Sequence, residues 1–227
     1  MKKNPPLVRA VVFDMDGTMF NTEDIYDRSG SELLGRRGME FTKELKLRMM
    51  GLQTRKAIEV MRDACGLDDS VDDLLEESDS IFLNLLTQHI AKMRGLDELL
   101  LELERRELPK AVATSSVRKL AEVALGHFDL IPRFEFVLTS ESVVKGKPEP
   151  DIYLLAAEKL GLEPANILVL EDSHIGSFAA AAAKTITVAV PNQHTACQDF
   201  AHADHVVDGL DSEVILELLN TYSVPTK

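Results

Sequence analysis

Two aspartates, Asp14 and Asp16, stand two residues apart in the segment DMDGT. A carboxylate at the end of a buried strand can act as a nucleophile, and a second carboxylate two residues later can donate a proton and then take one back. Further along the chain lie Thr114 in TSS, Lys147 in GKPEP and the pair Glu171-Asp172. A hydroxyl, an ammonium group and acids that can hold a hard cation suit a reaction in which negative charge develops on oxygen.

Most of these groups directly follow a predicted strand. The run Val8–Phe13 is β-branched and almost continuously apolar, which is typical of a strand buried on both faces of a parallel sheet. The further strands predicted are Lys110–Ala113, Phe136–Leu138, Ile167–Leu170 and Thr185–Val190, and the helices between them are Asp97–Glu107, Val117–Leu125, Ile152–Leu160 and Ile175–Ala183. Ligands of open α/β sheets bind beyond the carboxyl ends of the strands, so we expect the polar groups to meet at that edge.

The predicted fold class is α/β, with a doubly wound, Rossmann-like parallel sheet and an inserted all-helical cap domain. Residues 22–93 show helical periodicity and hardly any β-branched runs, whereas strands and helices alternate after them. We therefore expect a catalytic core formed by residues 1–21 and 94–227 and a helical cap formed by residues 22–93.

Four carboxylates are expected at the same sheet edge: Asp14, Asp16, Glu171 and Asp172. Such a cluster is costly for folding unless a cation neutralises it, and oxygen ligands favour Mg²⁺. Each motif also has a purely structural interpretation, because D-x-D-G forms turns and Thr114 or the acidic pair can cap a helix. His174, close to the acidic pair, is expected to cap a helix. Their joint occurrence at strand ends favours a magnesium site.

These segments resemble, in the same order, the four motifs of the haloacid dehalogenase superfamily in its helical-cap branch. Within that branch the chain resembles β-phosphoglucomutase-like sugar phosphatases and pseudouridine-5′-phosphatase through FDMDG, ATSS and LED. The resemblance implies that Asp14 is the nucleophile and Asp16 the general acid and base. It also implies that Thr114, Lys147 and the backbone of Ser115 hold the phosphoryl group, and that Mg²⁺ binds the Asp14 carboxylate, the Asp16 carbonyl, Glu171 and Asp172.

The resemblance further implies that residues 51–55 form a cap loop that faces the site. Arg55 is interpreted either as a contact to a distal anion or hydroxyl of the substrate or as a helix-surface charge. Thr22 and Tyr26 are expected to line the cap entrance. Two positions depart from these relatives, because Asn21 replaces an aspartate and Lys184 replaces a glycine.

The amino-acid composition limits which binding partners and which cellular compartment are expected for this chain. The formal net charge of −13 at pH 7, without a basic patch, argues against nucleic acid and membrane surfaces, so we expect a small phosphorylated metabolite as partner and a monomer or weak dimer. The spacing of Cys65 and Cys197 fits neither a disulfide framework nor a thiolate metal site.

The apolar run near the start is too short for a signal peptide, so a cytoplasmic location is expected. A zinc site from His194, Cys197, His202 and His205 is disfavoured by their spacing, and they are assigned to a loop before the last strand.

The predicted function is therefore a magnesium-dependent phosphatase that acts through an aspartyl phosphate. A receiver-type phosphorylation module fits poorly because Asp14 ends the first strand, and a C-halogen hydrolase needs no proton donor at Asp16. A phosphosugar mutase shares every core motif and remains the alternative. Tyr26, at the position of the histidine that assists mutases, and Thr18 favour the hydrolase.

Overall fold

The computed structural model describes residues 7–49, 52 and 54–220. The chain forms two compact units, one containing residues up to Asn21 and from Ala91 onward, and one spanning Thr22–Ile90. The first unit is α/β and the second is helical. The structural division after residues 21 and 90 lies close to the domain boundaries that the sequence predicts after residues 21 and 93.

The α/β unit is built on a six-stranded sheet. Its strands are β1 (Ala10–Phe13), β2 (Lys110–Ala113), β3 (Val137–Leu138), β4 (Ile167–Glu171), β5 (Ile186–Ala189) and β6 (His205–Val206). They pair in the order β3-β2-β1-β4-β5-β6, and every pairing is parallel. The order reverses between β1 and β4, so the carboxyl ends of these two strands form the crevice where such sheets bind ligands. The predicted α/β class is confirmed.

Nine α-helices lie in the described residues. They are α1 (Thr22–Gly35), α2 (Lys43–Met49), α3 (Thr54–Cys65), α4 (Val71–His89), α5 (Leu96–Arg105), α6 (Arg118–His127), α7 (Asp151–Leu160), α8 (His174–Ala182) and α9 (Glu213–Leu219). None of them is long and apolar enough to cross a membrane. No helix is predicted from the sequence at α9, and His205, expected in a loop, begins β6 instead.

A core lies between the sheet and helices α7 and α8. The strand residues that face it alternate along the chain: Ala10, Val12, Ala111, Ala113, Ile167 and Val169. Ala179, Ala180 and Ala183 are buried in the same core. Small side chains let α8 pack closely against the sheet.

The helical unit has a core of its own, formed by Leu33, Leu34, Leu45, Ile58, Met61, Leu74 and Ile81. Ser70 caps α4, because its side chain accepts a hydrogen bond from the Asp73 backbone N–H. Arg37 bridges Asp69 and Glu77 at 2.6 and 2.7 Å. The Arg37 ion pairs join the segment after α1 to α4 and to the residues just before α4.

The two linkers of the α/β unit are hydrogen-bonded to each other. The Asn21 backbone N–H donates to the Ala91 carbonyl at 3.1 Å, and Asn21 Oδ1 accepts from the Ala91 N–H at 2.7 Å. An amide oxygen therefore fills the acceptor role that an aspartate could also fill, which gives a physical reason why Asn21 is tolerated here.

Lys184 occupies a position that favours glycine. Its φ is +64°, its N–H donates to the Ala181 carbonyl at 2.9 Å and the Thr185 N–H donates to the Ala180 carbonyl at 3.3 Å. This pair of bonds is the Schellman ending of a helix, in which a left-handed residue usually lacks a Cβ atom.

We therefore expect Lys184→Gly to raise the free energy of unfolding by about 0.5–1 kcal/mol, because it removes the steric cost of the left-handed backbone. Urea denaturation measures the change. Lys184→Ala is the control, because it removes the charge but keeps the Cβ atom, and it should give no gain. Equal stabilisation by both variants would contradict the backbone explanation.

Candidate active site

Lys147 lies at the centre of the polar groups that follow the strands. Its Nζ donates to Asp14 Oδ1 at 2.5 Å, to Glu171 Oε1 at 2.7 Å and to the Ala113 carbonyl at 3.0 Å. Only 4% of its side chain is exposed. One ammonium group therefore joins the carboxyl ends of β1, β2 and β4.

Asp14, Glu171 and Asp172 form a buried acid trio. Each offers a carboxylate oxygen, and these oxygens lie within 4.8 Å of one another. Among the residues that the structure describes, this is the only group of three or more His, Cys, Asp and Glu side chains placed closely enough to hold a metal ion. His194, Cys197, His202 and His205 thus assemble no comparable site in the described chain.

The electrostatics of the trio favour an additional cation. Burial, and next the charge of Glu171, raise the pKa of Asp14 well above its usual range. Burial alone would lower the pKa of Lys147, but Asp14 and Glu171 outweigh it and raise that pKa well above normal, so the lysine stays charged. Lys147 pairs with Asp14 and Glu171, and Asp172 adds a third carboxyl group beside them, so one ammonium group faces an excess of acidic groups.

Glu171 is held by donors on both of its oxygens. Oε1 accepts from Lys147 and from the Tyr153 hydroxyl at 3.0 Å. Oε2 accepts from the Ser173 backbone N–H at 3.1 Å and from its hydroxyl at 3.0 Å. Ser173 also caps α8, since its hydroxyl accepts from the Gly176 N–H at 3.1 Å. The expectation that His174 caps this helix is therefore wrong, because His174 is already the first helical residue.

Asp16 is held by the loop that follows β2. Its Oδ2 accepts hydrogen bonds from the Thr114 hydroxyl and from the Ser116 hydroxyl, both at 2.8 Å. The Thr114 oxygen in turn accepts from the Ser116 N–H at 2.9 Å. The Asp16 side chain thus lies outside the acid trio and beside the hydroxyl that the sequence predicts as a phosphoryl contact.

Asp172 contacts Asn192, which follows β5. Asn192 Nδ2 donates to Asp172 Oδ2 at 2.7 Å and to the Gly17 carbonyl at 3.1 Å. The segment DMDGT and the end of β4 are therefore linked by a residue from a third loop.

The structure brings together six of the predicted site residues: Asp14, Asp16, Thr114, Lys147, Glu171 and Asp172. Ser115 lies in the same loop as Thr114 with its side chain exposed. The three predicted cap residues lie in the helical unit. Gly51 and Gln53 of the predicted cap loop are outside the described residues.

The cap residues have local partners within the helical unit. Arg55 forms an exposed ion pair with Asp72 at 2.5 Å, which fits the interpretation as a helix-surface charge. The Tyr26 ring lies 4.3 Å from the Phe82 ring, measured between centroids. Thr22 begins α1 and is buried.

Comparison with known proteins places this site in a family. The family description "Haloacid dehalogenase-like hydrolase" matches residues 11–190, which include the acid trio, Asp16, Thr114 and Lys147. The chain belongs to the haloacid dehalogenase-like hydrolases. This match confirms the resemblance inferred from the sequence motifs. The chain is therefore an enzyme, and its named relatives include phosphatases.

Two curated relatives and one solved structure illustrate the similarity. This hydrolase is 32% identical over 180 residues to the phosphorylated carbohydrates phosphatase of Thermotoga maritima, covering 78% of this chain and 82% of the relative. It is 32% identical over 205 residues to a Drosophila melanogaster protein named "Probable pseudouridine-5'-phosphatase", covering 88% of each. Its fold matches the crystal structure of CbbY from Rhodobacter sphaeroides in complex with phosphate, with a TM-score of 0.76, 27% identity, and 90% and 95% of the two chains covered.

Four residues that contact the motif side chains were not predicted from the sequence: Ser116, Tyr153, Ser173 and Asn192. Asn192 follows the predicted strand Thr185–Val190, so the rule applied to the other strand ends would have found it. Tyr153 lies inside α7 among apolar residues, which in the sequence is the pattern of a core residue. In the structure only 1% of it is exposed. Only the tertiary structure shows that its hydroxyl reaches Glu171.

Gly176 permits the close approach of α8 to Glu171. A β-carbon at Gly176 would overlap the Glu171 carboxylate. We expect Gly176→Ala to lower the free energy of unfolding by about 1–3 kcal/mol, as overpacking does, and to reduce turnover because Glu171 must shift away from Lys147.

Gly126→Ala in α6 is the matched control. Among the residues that the structure describes, a β-carbon there would meet only Ile131 Cδ1 at 3.9 Å, which is an ordinary contact. Gly126→Ala should keep activity and leave stability unchanged or slightly raised, since alanine favours the helix. Thermal unfolding and phosphate release would be compared for both variants, and wild-type behaviour of Gly176→Ala would contradict the packing argument.

Proposed function

We propose that this hydrolase is a magnesium-dependent phosphatase that cleaves a small phosphate monoester through an aspartyl phosphate on Asp14. The proposal rests above all on one observation, the buried contact of Lys147 with Asp14 and Glu171 at the ends of β1 and β4. A buried lysine held beside a carboxylate nucleophile can stabilise negative charge on a phosphoryl group bound between them.

The donor set of the acid trio fits Mg²⁺. Its members offer carboxylate oxygens, which are the ligands that this ion prefers, and they leave negative charge uncompensated by Lys147. Asp14, Glu171, Asp172 and the carbonyl of Asp16 would hold the ion. When bound, it supplies charge neutralisation and orientation of the phosphoryl oxygens.

In the first step, a carboxylate oxygen of Asp14 attacks phosphorus and the bond from phosphorus to the leaving oxygen breaks. Asp16 gives its proton to that leaving oxygen, so the product departs as an alcohol. Lys147 and the Thr114 hydroxyl donate hydrogen bonds to the phosphoryl oxygens, and the Ser115 N–H adds a backbone donor.

In the second step, Asp16 takes a proton from a water molecule as that water attacks phosphorus. The bond between phosphorus and Asp14 breaks, which restores the carboxylate and releases inorganic phosphate. The Ser116 hydroxyl orients Asp16 in both steps, because it donates to Oδ2. The Thr114 hydroxyl donates to the same oxygen in the structure, and its single proton turns to the phosphoryl group when the substrate binds.

The substrate class that the relatives support is a phosphorylated carbohydrate or a nucleoside-monophosphate-like ester. The phosphatase from Thermotoga maritima is named for the first and the Drosophila melanogaster relative for a pseudouridine phosphate. Both are small phosphate monoesters, and the core residues described above address the phosphoryl group that they share.

The test is release of inorganic phosphate from a panel of sugar phosphates and nucleoside monophosphates, with Mg²⁺ or with excess chelator. We expect release only with the metal. Asp14→Asn should lower turnover by a factor on the order of 10⁴ or more while circular dichroism stays unchanged, because the nucleophile is lost and Glu171 still pairs with Lys147. Full release in chelator would remove the metal from the proposal, and near-normal turnover of Asp14→Asn would remove the nucleophile.

The alternative function is a phosphosugar mutase of the β-phosphoglucomutase type. A mutase must pass the phosphoryl group to a sugar hydroxyl, and a histidine assists that step in the mutases. Tyr26 stands at the corresponding position, and a phenol near pH 7 is neutral and a poor proton shuttle. We therefore favour hydrolysis.

Incubation with β-glucose 1-phosphate, Mg²⁺ and a catalytic amount of the bisphosphate distinguishes the two functions. Free phosphate and glucose 6-phosphate are quantified in the same reaction. A hydrolase accumulates free phosphate. Efficient formation of glucose 6-phosphate with little free phosphate would establish the mutase instead.

A further inference from the structure

Asn192 has three side-chain hydrogen bonds at the edge of the acid trio. Its Nδ2 donates to Asp172 Oδ2 at 2.7 Å and to the Gly17 carbonyl at 3.1 Å. Its Oδ1 accepts from the His194 backbone N–H at 2.8 Å. The residue belongs to the loop after β5, so it brings a third strand end into the site.

These partners fix which way the amide group points. His194 offers a backbone donor, and only the amide oxygen can accept from it. The amide nitrogen must then face Asp172 and the Gly17 carbonyl, which are both acceptors. The reversed amide would place an oxygen against two other oxygens and would lose all three bonds.

The turn at Gly17 is packed directly against the same two side chains. Gly17 has a φ of +78°, in the left-handed region that favours glycine. A β-carbon at this position would overlap the Asp172 carboxylate and would lie 2.8 Å from Asn192 Nδ2. The segment DMDGT, the end of β4 and the loop after β5 therefore share one set of contacts around Asp172.

We propose that Asn192 is a positioning residue that orients Asp172 toward the magnesium ion and locks the turn carrying Asp14 and Asp16 to it. The inference rests on the proposed function. A neutral amide holds one oxygen of Asp172 without cancelling its charge, whereas a lysine or arginine there would compete with the cation. Donors that hold a ligating carboxylate change metal affinity by about 10-fold to 100-fold when removed.

The experiment measures magnesium binding directly, apart from turnover. Isothermal titration calorimetry suits this chain, because it contains no tryptophan to report binding by fluorescence. Wild type, Asn192→Ala and Asn192→Ser are titrated with MgCl₂. We expect Asn192→Ala to raise the Kd by about 10-fold or more, and Asn192→Ser, which keeps one short donor, to fall between alanine and wild type.

Asn166→Ala is the matched control. Asn166 precedes β4, at the opposite end of the strand from Asp172, and its Nδ2 also donates to one backbone carbonyl, that of Leu7, at 3.0 Å. Its loss should leave the magnesium Kd unchanged. Thermal unfolding without metal is measured for both alanine variants. A cooperative transition of Asn192→Ala above the temperature of the titration shows that a raised Kd reflects positioning and not loss of fold.

Kinetics provide a second readout. If Asn192 acts through the metal ligand, the phosphatase activity lost in Asn192→Ala should return as the Mg²⁺ concentration rises, with kcat at saturation near the wild-type value. A wild-type Kd for Asn192→Ala, or a loss of activity that is equal at every Mg²⁺ concentration, would overturn this inference and leave the proposed function standing. Absence of any Mg²⁺ binding by the wild type would overturn this inference and the metal assignment together.

Discussion

The contact between Lys147 and two buried acids is the interaction on which the rest of this site depends. Asp14 and Glu171 lie at the ends of adjacent strands, and both would be costly to bury without a positive partner. The lysine supplies that partner from a loop that is remote in sequence. Its charge also makes the strand ends suitable for an anion, so the interaction that permits folding is the one that the proposed phosphoryl transfer uses.

The surroundings of Glu171 show how the fold supports this contact. Ser173 caps α8 and donates twice to the same carboxylate, and Gly176 leaves room for it. Tyr153 approaches from α7, with its ring 5.1 Å from the lysine ammonium and its hydroxyl on Glu171. Residues of α7 and at the start of α8 therefore both contact Glu171. The position of that acid is set by the helix–sheet packing as much as by its own strand.

The segment DMDGT is the meeting point of the other loops. The loop after β2 holds Asp16 through two hydroxyls, and the loop after β5 holds Asp172 and the Gly17 carbonyl through Asn192. The segment that carries the proposed nucleophile and the proposed acid–base group is consequently held from both sides of β1. This follows from the strand order, which places β1 in the middle of the sheet beside the point where the order reverses.

The sequence by itself determined the α/β class and most strand positions, because apolar strand runs followed by polar groups depend only on local pattern. It also pointed to the six residues that the structure brings together at the strand ends, five of them from their positions at or just after predicted strands and Lys147 from its motif. It also marked Lys184 as unusual, and the structure supplies the reason in its left-handed backbone. The sequence did not identify β6 or α9, and it assigned the cap of α8 to His174 instead of Ser173. Tyr153 has the sequence pattern of an ordinary core residue, whereas Asn192 follows a predicted strand and could have been noted there. Their contacts with Glu171 and Asp172 were decided only by the tertiary structure, because hydrogen bonds between residues far apart in the chain depend on how helices and loops pack around the strand ends and leave no periodic signal in the sequence.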